Sequence, residues 1–344
     1  MLHNRRNTDA LRAAARQARV PRTTLSFYRY VRIDDPRGLR DELYAAFERL
    51  GVLGRVYVAT EGINAQASVP TDGLDALRDY LGATPGLADL RLNLALEDDD
   101  ASFYKLVVKV RDKIVADGLD DASFDPGAGG EHLDAAGFNS LADDPDAVVV
   151  DMRNHYESEV GHFRGAVRPA VDTFRESLPV VEELLAGKED APVLMYCTGG
   201  IRCEKASAWL RHRGFARVYQ LEGGIIHYAR QVAARGLDNR FVGKNFVFDE
   251  RLGERVGHEV IGRCHQCGAP ADAHVNCAND ACHLLFIQCA ACAKTYRDAC
   301  SHTCAEFAAL PKAERRARAA GRVFNGQRYP SAHYRAGEGG LATS

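Results

Sequence analysis

Tyr196-Cys197-Thr198-Gly199-Gly200-Ile201-Arg202 is flanked by a continuous apolar run, Pro192 to Tyr196, and by a helical pattern, Glu204 to Gly214. The local order is therefore strand, tight glycine-bearing loop, helix, with the cysteine where the strand ends. Loop amides after Cys197 can turn inward as an anion-binding nest, and the next helix aims its N-terminus at the sulfur. Both favour a thiolate or persulfide. Gly199 and Gly200 are expected to supply backbone with positive φ, and Arg202 adds a fixed positive charge. A lone cysteine after a strand is more often a buried core residue. The paired glycines, the arginine and the strand-loop-helix context favour a reactive thiol at Cys197. The spacing Cys197 to Arg202 is Cys-x4-Arg, one residue short of the Cys-x5-Arg loops that wrap phosphate, which disfavours a phosphatase.

Outward from this loop the pattern repeats. Ala147 to Val150 is a buried strand ending in Asp151-Met152-Arg153, Leu178 to Leu185 reads as helix, and Val218 to Leu221 is another strand. Glu222-Gly223-Gly224-Ile225 opens a last helix that runs to Arg235. Short apolar strands alternating with helices imply an α/β domain with a parallel sheet covered on both faces. A reactive residue at the carboxyl end of a central strand lies where such sheets place their sites. Asp151 and Arg153 read as a structural and electrostatic pair. Cys203 reads as the first buried residue of the helix, with resolution of a Cys197 persulfide or disulfide as the alternative.

Upstream, Thr23 to Ile33 has strand composition, and Asp34-Asp35-Pro36 signals a helix start. Leu39, Leu43, Phe47 and Leu50 follow at helical spacing. Two short strands surround Glu61-Gly62-Ile63-Asn64, Thr71 to Leu81 is a second helix, and Arg91 to Leu96 and Phe103 to Val115 return to strand alternation. This β-α-β-β-α-β order predicts a ferredoxin-like α+β sandwich, a fold that does not decide function. The Glu61–Asn64 turn is readable as an RNA contact or as a plain hairpin turn. Phe27, Tyr28 and Tyr30 could stack a base, but a core strand is the favoured reading.

The chain has 344 residues, 46% hydrophobic and 26% charged, which is ordinary for a globular protein of two or three domains. The expected division is an N-terminal arm at 1–20, a ferredoxin-like domain at 21–117, an α/β domain at 125–236, a cysteine-rich region at 240–310 and a basic tail at 311–344. Net charge is −3, so nucleic-acid contact must use a local patch. No run is long and apolar enough to span a bilayer. Arg5, Arg6, Arg12 and Arg16 occupy the N-terminus without an apolar signal core. A cytoplasmic location is expected, with neither membrane nor DNA as a partner.

Eight of the ten cysteines fall between Cys264 and Cys304, as Cys264-x2-Cys267, Cys277-x4-Cys282, Cys289-x2-Cys292 and Cys300-x3-Cys304. In a large chain without an export signal this pattern favours structural zinc over disulfides. Each thiolate pair can fill half of a tetrahedral shell, so two four-cysteine sites are expected. Spacing alone allows neighbours to join or first to pair with third and second with fourth. The second arrangement is preferred, because a cross-brace ties the whole segment into one unit. A basic run, Lys312, Arg315, Arg316, Arg318 and Arg322 with Lys294 and Arg297, reads either as a phosphate-contacting surface or as a solvated helix face. Lys105, Lys109, Arg111 and Lys113 add positive charge to the first domain.

Residues 125–236 resemble a rhodanese domain through Val150-Asp151-Met152-Arg153, Gly161-His162-Phe163 with Gly165-Ala166, the Cys197 loop and Leu221-Glu222-Gly223-Gly224-Ile225. Glu61-Gly62-Ile63-Asn64, Asp172-Thr173-Phe174-Arg175, Cys197 to Ala208, Gly243 to Asp249 and the cysteine cluster extend the likeness. Over about residues 20 to 310 the chain resembles the bacterial tRNA wobble-uridine hydroxylases. That resemblance implies oxygen-dependent 5-hydroxylation of the wobble uridine, with Cys197 in the place of the rhodanese-type catalytic cysteine. It further implies the tRNA anticodon arm as partner and molecular oxygen with an unidentified electron donor as co-substrates. No flavin, haem or non-haem iron motif stands out. The loop chemistry alone also fits a sulfurtransferase forming a Cys197 persulfide, and the whole also fits a non-catalytic zinc-bearing RNA-binding protein.

Overall fold

The computed structural model describes residues 11, 17, 20–97, 102–121 and 124–328. The expected arm with Arg5, Arg6, Arg12 and Arg16, apart from residues 11, 17 and 20, and tail residues 329–344 lie outside them. The first unit runs β1 (Arg22–Tyr30), α1 (Pro36–Arg49), β2 (Leu53–Ala59), β3 (Gly62–Pro70), α2 (Leu74–Ala83), β4 (Asn93–Leu94) and β5 (Leu106–Val110). Asp35 caps α1 by accepting from the Arg37 and Gly38 amides at 3.2 and 2.9 Å. The sheet order is β4-β1-β3-β2-β5. Its first four strands have the ferredoxin-like order, with antiparallel neighbours. β5 adds a fifth strand on the far edge, parallel to β2.

Period-two alternation divides this sheet into two faces. Leu25, Phe27, Val56, Val58, Ile63 and Ala65 point to the helices and form the core with Leu43, Phe47 and Leu77. The opposite face carries rows set by the register: Tyr28 beside Asn64 beside Tyr57, and Ser26 beside Gln66 beside Arg55. That polar-aromatic face has no helices of its own.

The second unit runs β6 (Glu131–Leu133), α3 (Ala135–Leu141), β7 (Val148–Asp151), α4 (His155–Ser158), β8 (Gly161–Phe163), α5 (Phe174–Leu184), β9 (Val193–Tyr196), α6 (Ile201–His212), β10 (Val218–Leu221) and α7 (Gly224–Arg235). Four parallel strands lie in the order β6-β10-β9-β7. Every residue of β9 is buried, as a central strand covered on both faces requires. Val193 and Met195 enter one core layer, and Leu194 and Tyr196 the other. α5 begins earlier than the apolar periodicity indicated, because Thr173 and Glu176 form a capping box at its start.

The last segment holds β11 (Phe241–Asn245), β12 (Glu254–Arg255), β13 (His274–Asn276), β14 (Leu285–Ile287), α8 (Ala290–Tyr296), α9 (His302–Ala308), α10 (Lys312–Ala319) and α11 (Asn325–Arg328). β11 pairs antiparallel with β8, so this segment is stitched onto the second unit by backbone hydrogen bonds. The first unit is clamped to α6. Buried Lys205 Nζ donates to the Glu61 carboxylate at 2.9 Å, to Asp117 Oδ2 at 2.6 Å and to the Val115 carbonyl at 3.1 Å. Glu61 also accepts from the Ile114 amide at 2.7 Å. The Glu61–Asn64 turn is thus a β-hairpin turn that doubles as a domain seam.

Candidate active site

Cys197 follows β9 and is fully buried. The Gly200 amide donates to Cys197 Sγ at 3.1 Å. Gly200 has φ of 102°, and a Cβ there would come within 2.7 Å of Tyr28 Oη, so no other residue fits without displacement. Gly199 differs from the expectation: its φ is not positive, and it instead presents its carbonyl to Asn93 Nδ2 at 3.3 Å. One left-handed residue suffices to turn the chain from the loop into α6. Gly224 is as tightly constrained, because a Cβ on it would meet Cys197 O at 2.5 Å and Gly199 N at 2.7 Å. The Ile225 amide then donates to Cys197 O at 3.0 Å, so the start of α7 props the loop from behind.

Burial pushes the Cys197 thiol up, but the Cys203 thiol donating to it, the Arg202 charge and the Arg202 and Gly200 amides outweigh that, bringing its pKa to about 6. Cys203 moves the other way: burial and the neighbouring Cys197 sulfur hold it well above its ordinary range. The pair is therefore one thiolate and one thiol donor. Arg202 does not reach freely into the cavity. It is locked to Glu157 by Nη1–Oε1 and Nη2–Oε2 contacts of 2.6 and 2.8 Å, with its guanidinium over Phe248 at 5.8 Å. Thr198 Oγ1 lies 3.4 Å from Glu157 Oε2. Ile201 receives Tyr30 Oη on its carbonyl at 3.3 Å.

Asp151 and Arg153 are both buried at the end of β7. Arg153 donates to Asp151 Oδ1 at 2.9 Å, to Oδ2 at 2.6 Å and to the Gly161 carbonyl at 2.6 Å. Tyr196 Oη completes the set by donating to Asp151 Oδ2 at 2.7 Å. Neither residue lines the cavity above Cys197. They brace β7, β8 and β9 against one another.

That cavity, about 290 Å³, lies between the Cys197 loop and the helix-free face of the first sheet. Cys197, Thr198, Gly199, Ile201 and Arg202 form one wall, Ser26, Tyr28, Tyr57, Asn64 and Gln66 the facing one, and Phe248, Asp249, Arg251 and Glu254 a third. All three segments of the chain contribute. Tyr28 and Tyr30 prove to be docking residues: Tyr28 Oη donates to Glu204 Oε1 at 2.9 Å. Among the residues that sequence reasoning did not single out, Glu157, Glu204, Lys205, Asn93 and Arg251 matter most. Only Glu157 left a local trace, as the fourth residue of an Asn154-x-x-Glu157 capping box.

The eight C-terminal cysteines gather into two groups, Cys264, Cys267, Cys289 and Cys292, and Cys277, Cys282, Cys300 and Cys304, with sulfurs within 4.8 Å of one another in each. First thus joins third and second joins fourth. A Zn–S bond of about 2.3 Å puts tetrahedral sulfurs about 3.8 Å apart. The structure has 3.6 Å for Cys267–Cys289, 3.8 Å for Cys282–Cys300 and 3.7 Å for Cys300–Cys304. N–H groups surround the sulfurs, among them Gly326 N to Cys282 at 3.2 Å and Asn279 Nδ2 to Cys304 at 3.4 Å. Such donors stabilise thiolates around a metal, so both groups fit a zinc ion. The basic run on α10 is partly neutralised, since Arg315 pairs with Asp280 at 2.6 Å and Arg318 with Glu314 at 2.5 Å.

A buried low-pKa thiol at the carboxyl end of a central parallel strand, roofed by a ferredoxin-like domain, is the arrangement of a rhodanese-type α/β domain with a second domain laid over its thiol loop. Residues 22–114 match the UPF0176 acylphosphatase like domain, 134–231 the rhodanese-like domain and 242–305 the rhodanase C-terminal domain. The chain is 56% identical over 334 residues to the tRNA uridine(34) hydroxylase of Cronobacter sakazakii, covering 95% of this chain and 96% of that one. It is 54% identical to that of an Enterobacter species at the same coverage, and 57% identical over 305 residues to that of Escherichia coli, covering 88% and 87%. The chain belongs to the tRNA uridine(34) hydroxylase family. Among the described residues no helix is long and apolar enough to cross a membrane.

Proposed function

We propose that this chain catalyses oxygen-dependent 5-hydroxylation of the wobble uridine of tRNA in the cytoplasm, with Cys197 as the nucleophile. The observation that carries this reading is the cavity with a thiol of pKa about 6 on one wall and a polar-aromatic sheet face opposite. A cavity of this size admits one flipped base and excludes a duplex. The wobble base lies unpaired in the anticodon loop, where extrusion costs least. Thiolate addition at uracil C6 forms a C–S bond and shifts the electron pair to C5, which becomes nucleophilic toward oxygen. Loss of the C5 proton with expulsion of the thiolate restores the ring. Molecular oxygen and a two-electron donor are co-substrates: one oxygen atom enters the base and the other leaves as water. The Gly200 amide and the Cys203 thiol hold the leaving thiolate. Two structural zinc ions, one per four-cysteine group, staple the C-terminal segment that supplies the third wall.

Nucleoside mass spectrometry of tRNA from a deletion strain tests the reading. The wild-type gene should restore 5-hydroxyuridine and Cys197→Ser should not; restoration by the serine variant refutes the role of Cys197. Sulfur transfer is the second reading, favoured by the Gly200 amide on Cys197 Sγ, which suits a persulfide equally well. Fast Cys197-dependent thiosulfate-to-cyanide turnover, with unchanged tRNA in the deletion strain, would establish it instead.

A further inference from the structure

The cavity above Cys197 opens sideways. A second cavity of about 470 Å³ adjoins it and shares Arg55, Tyr57, Phe103, Phe248 and Asp249. Its floor is the same sheet face continued from β2 onto β5, where Tyr57 registers with Lys109 and Arg55 with Val107. The added edge strand β5 therefore extends the roof of the thiol pocket into an open groove. Cations and rings alternate along it. The Arg111 guanidinium lies 5.5 Å from the Tyr57 ring centre, and Lys105 Nζ lies 5.8 Å from that of Tyr104. Lys109 and Arg111 are exposed. Among the described residues none of Lys105, Lys109 and Arg111 joins an ion pair. Asp249 at the junction pairs with Arg251 through bonds of 2.8 and 2.5 Å, an arginine it shares with Glu254, and Glu250 is the other carboxylate that lines the groove.

We infer that this groove is the track for the single-stranded RNA next to the target nucleotide. A neighbouring base stacks on Tyr57 or Tyr104, and the backbone phosphates follow Lys105, Lys109 and Arg111. Aromatic faces interleaved with cations are what single-stranded nucleic acid requires, since every base has a π-face and every linkage a charge. Continuity with the Cys197 cavity places the strand so that one extruded base enters while its neighbours stay in the groove. By contrast, the basic helix α10 has Arg315 and Arg318 already in ion pairs. This inference rests on the tRNA reading and adds which surface holds the substrate.

The test uses the full-length protein and an anticodon stem-loop RNA. Combined Lys105→Ala, Lys109→Ala and Arg111→Ala should weaken binding tenfold or more and flatten the log Kd against log salt slope by about 2, from three lost contacts at about 0.7 each. Tyr57→Ala should weaken binding at least about fivefold, while Tyr57→Phe retains affinity because stacking survives. Alkylation of Cys197 at pH 7 should be unchanged in the triple variant, whose three residues do not line the Cys197 cavity, reporting an intact pocket, and Lys188→Ala should bind as wild type. If the triple variant fails that check, Lys109→Ala alone should still flatten the slope by about 0.7. Wild-type affinity and slope in the triple variant would overturn the groove. So would loss of affinity with an unchanged slope. Failure of the wild-type protein to modify tRNA would instead remove the tRNA reading itself.

Discussion

Arg202 and Glu157 stand 45 residues apart in the chain and form a two-pronged ion pair at 2.6 and 2.8 Å. The pair fixes the closing residue of the thiol loop to α4, and it sets how much of the arginine charge the sulfur feels. Glu157→Gln removes the competing anion and should lower the Cys197 pKa below about 6, whereas Arg202→Ala removes the cation and should raise it. Glu157 is fully buried, so Glu157→Ala should also cost about 3 kcal/mol of stability by leaving Arg202 unpaired. Thiol titration and denaturant melts measure both effects; equal thiol pKa values in the two variants would contradict the coupling.

Wild-type Cys197 should alkylate with a rate that rises through pH 6 and is flat by pH 8. A depressed pKa means that the reactive anion is already formed above about 6, while an ordinary cysteine is still gaining rate near pH 8.5. A midpoint near 9 would refute the loop electrostatics.

Lys205 holds the seam between the first unit and α6. Lys205→Met should lose about 3 kcal/mol, because Asp117 is buried and would keep only Lys113 as a cationic partner. Burial pushes Asp117 up, but its bonds to Lys113, Lys205 and the Leu119 amide hold its pKa below the ordinary carboxylate value. The stabilisation from that shift is present above about pH 4 and is lost as pH falls below it. The variant should therefore show a shallower acid-side fall in stability than wild type.

Zinc analysis of untagged protein should find two ions per chain, four thiolates each. Chelation should melt residues near 264–304 first and lower tRNA affinity only indirectly. Substoichiometric zinc after chelator-free purification, with melting unaltered by chelator, would refute the metal sites.

Aryl phosphate turnover should be negligible. The loop is one residue short of a phosphate cradle, and its arginine is already engaged by Glu157. Robust turnover lost in Cys197→Ser would contradict this.

The sequence by itself determined whatever is local. The apolar run before Cys197 and the glycines after it specify strand, loop and helix within a dozen residues; Asp35 starts α1; close cysteine pairs announce tetrahedral half-shells. The partner of each pair was open from spacing and was decided by tertiary contacts, among them the Cys300 amide donating to Cys277 Sγ. Nor did any local pattern show Glu157 beneath Arg202, Lys205 between Glu61 and Asp117, or the Tyr28 hydroxyl bonded to Glu204. Those contacts join residues 45 to 176 positions apart. Periodicity reports which side of its own strand a residue occupies, and says nothing of what packs there. The polar-aromatic rows of β1, β2 and β3 could be read as a solvent face until the second domain was laid over them. Only that closure turned an exposed sheet face and a reactive loop into one cavity.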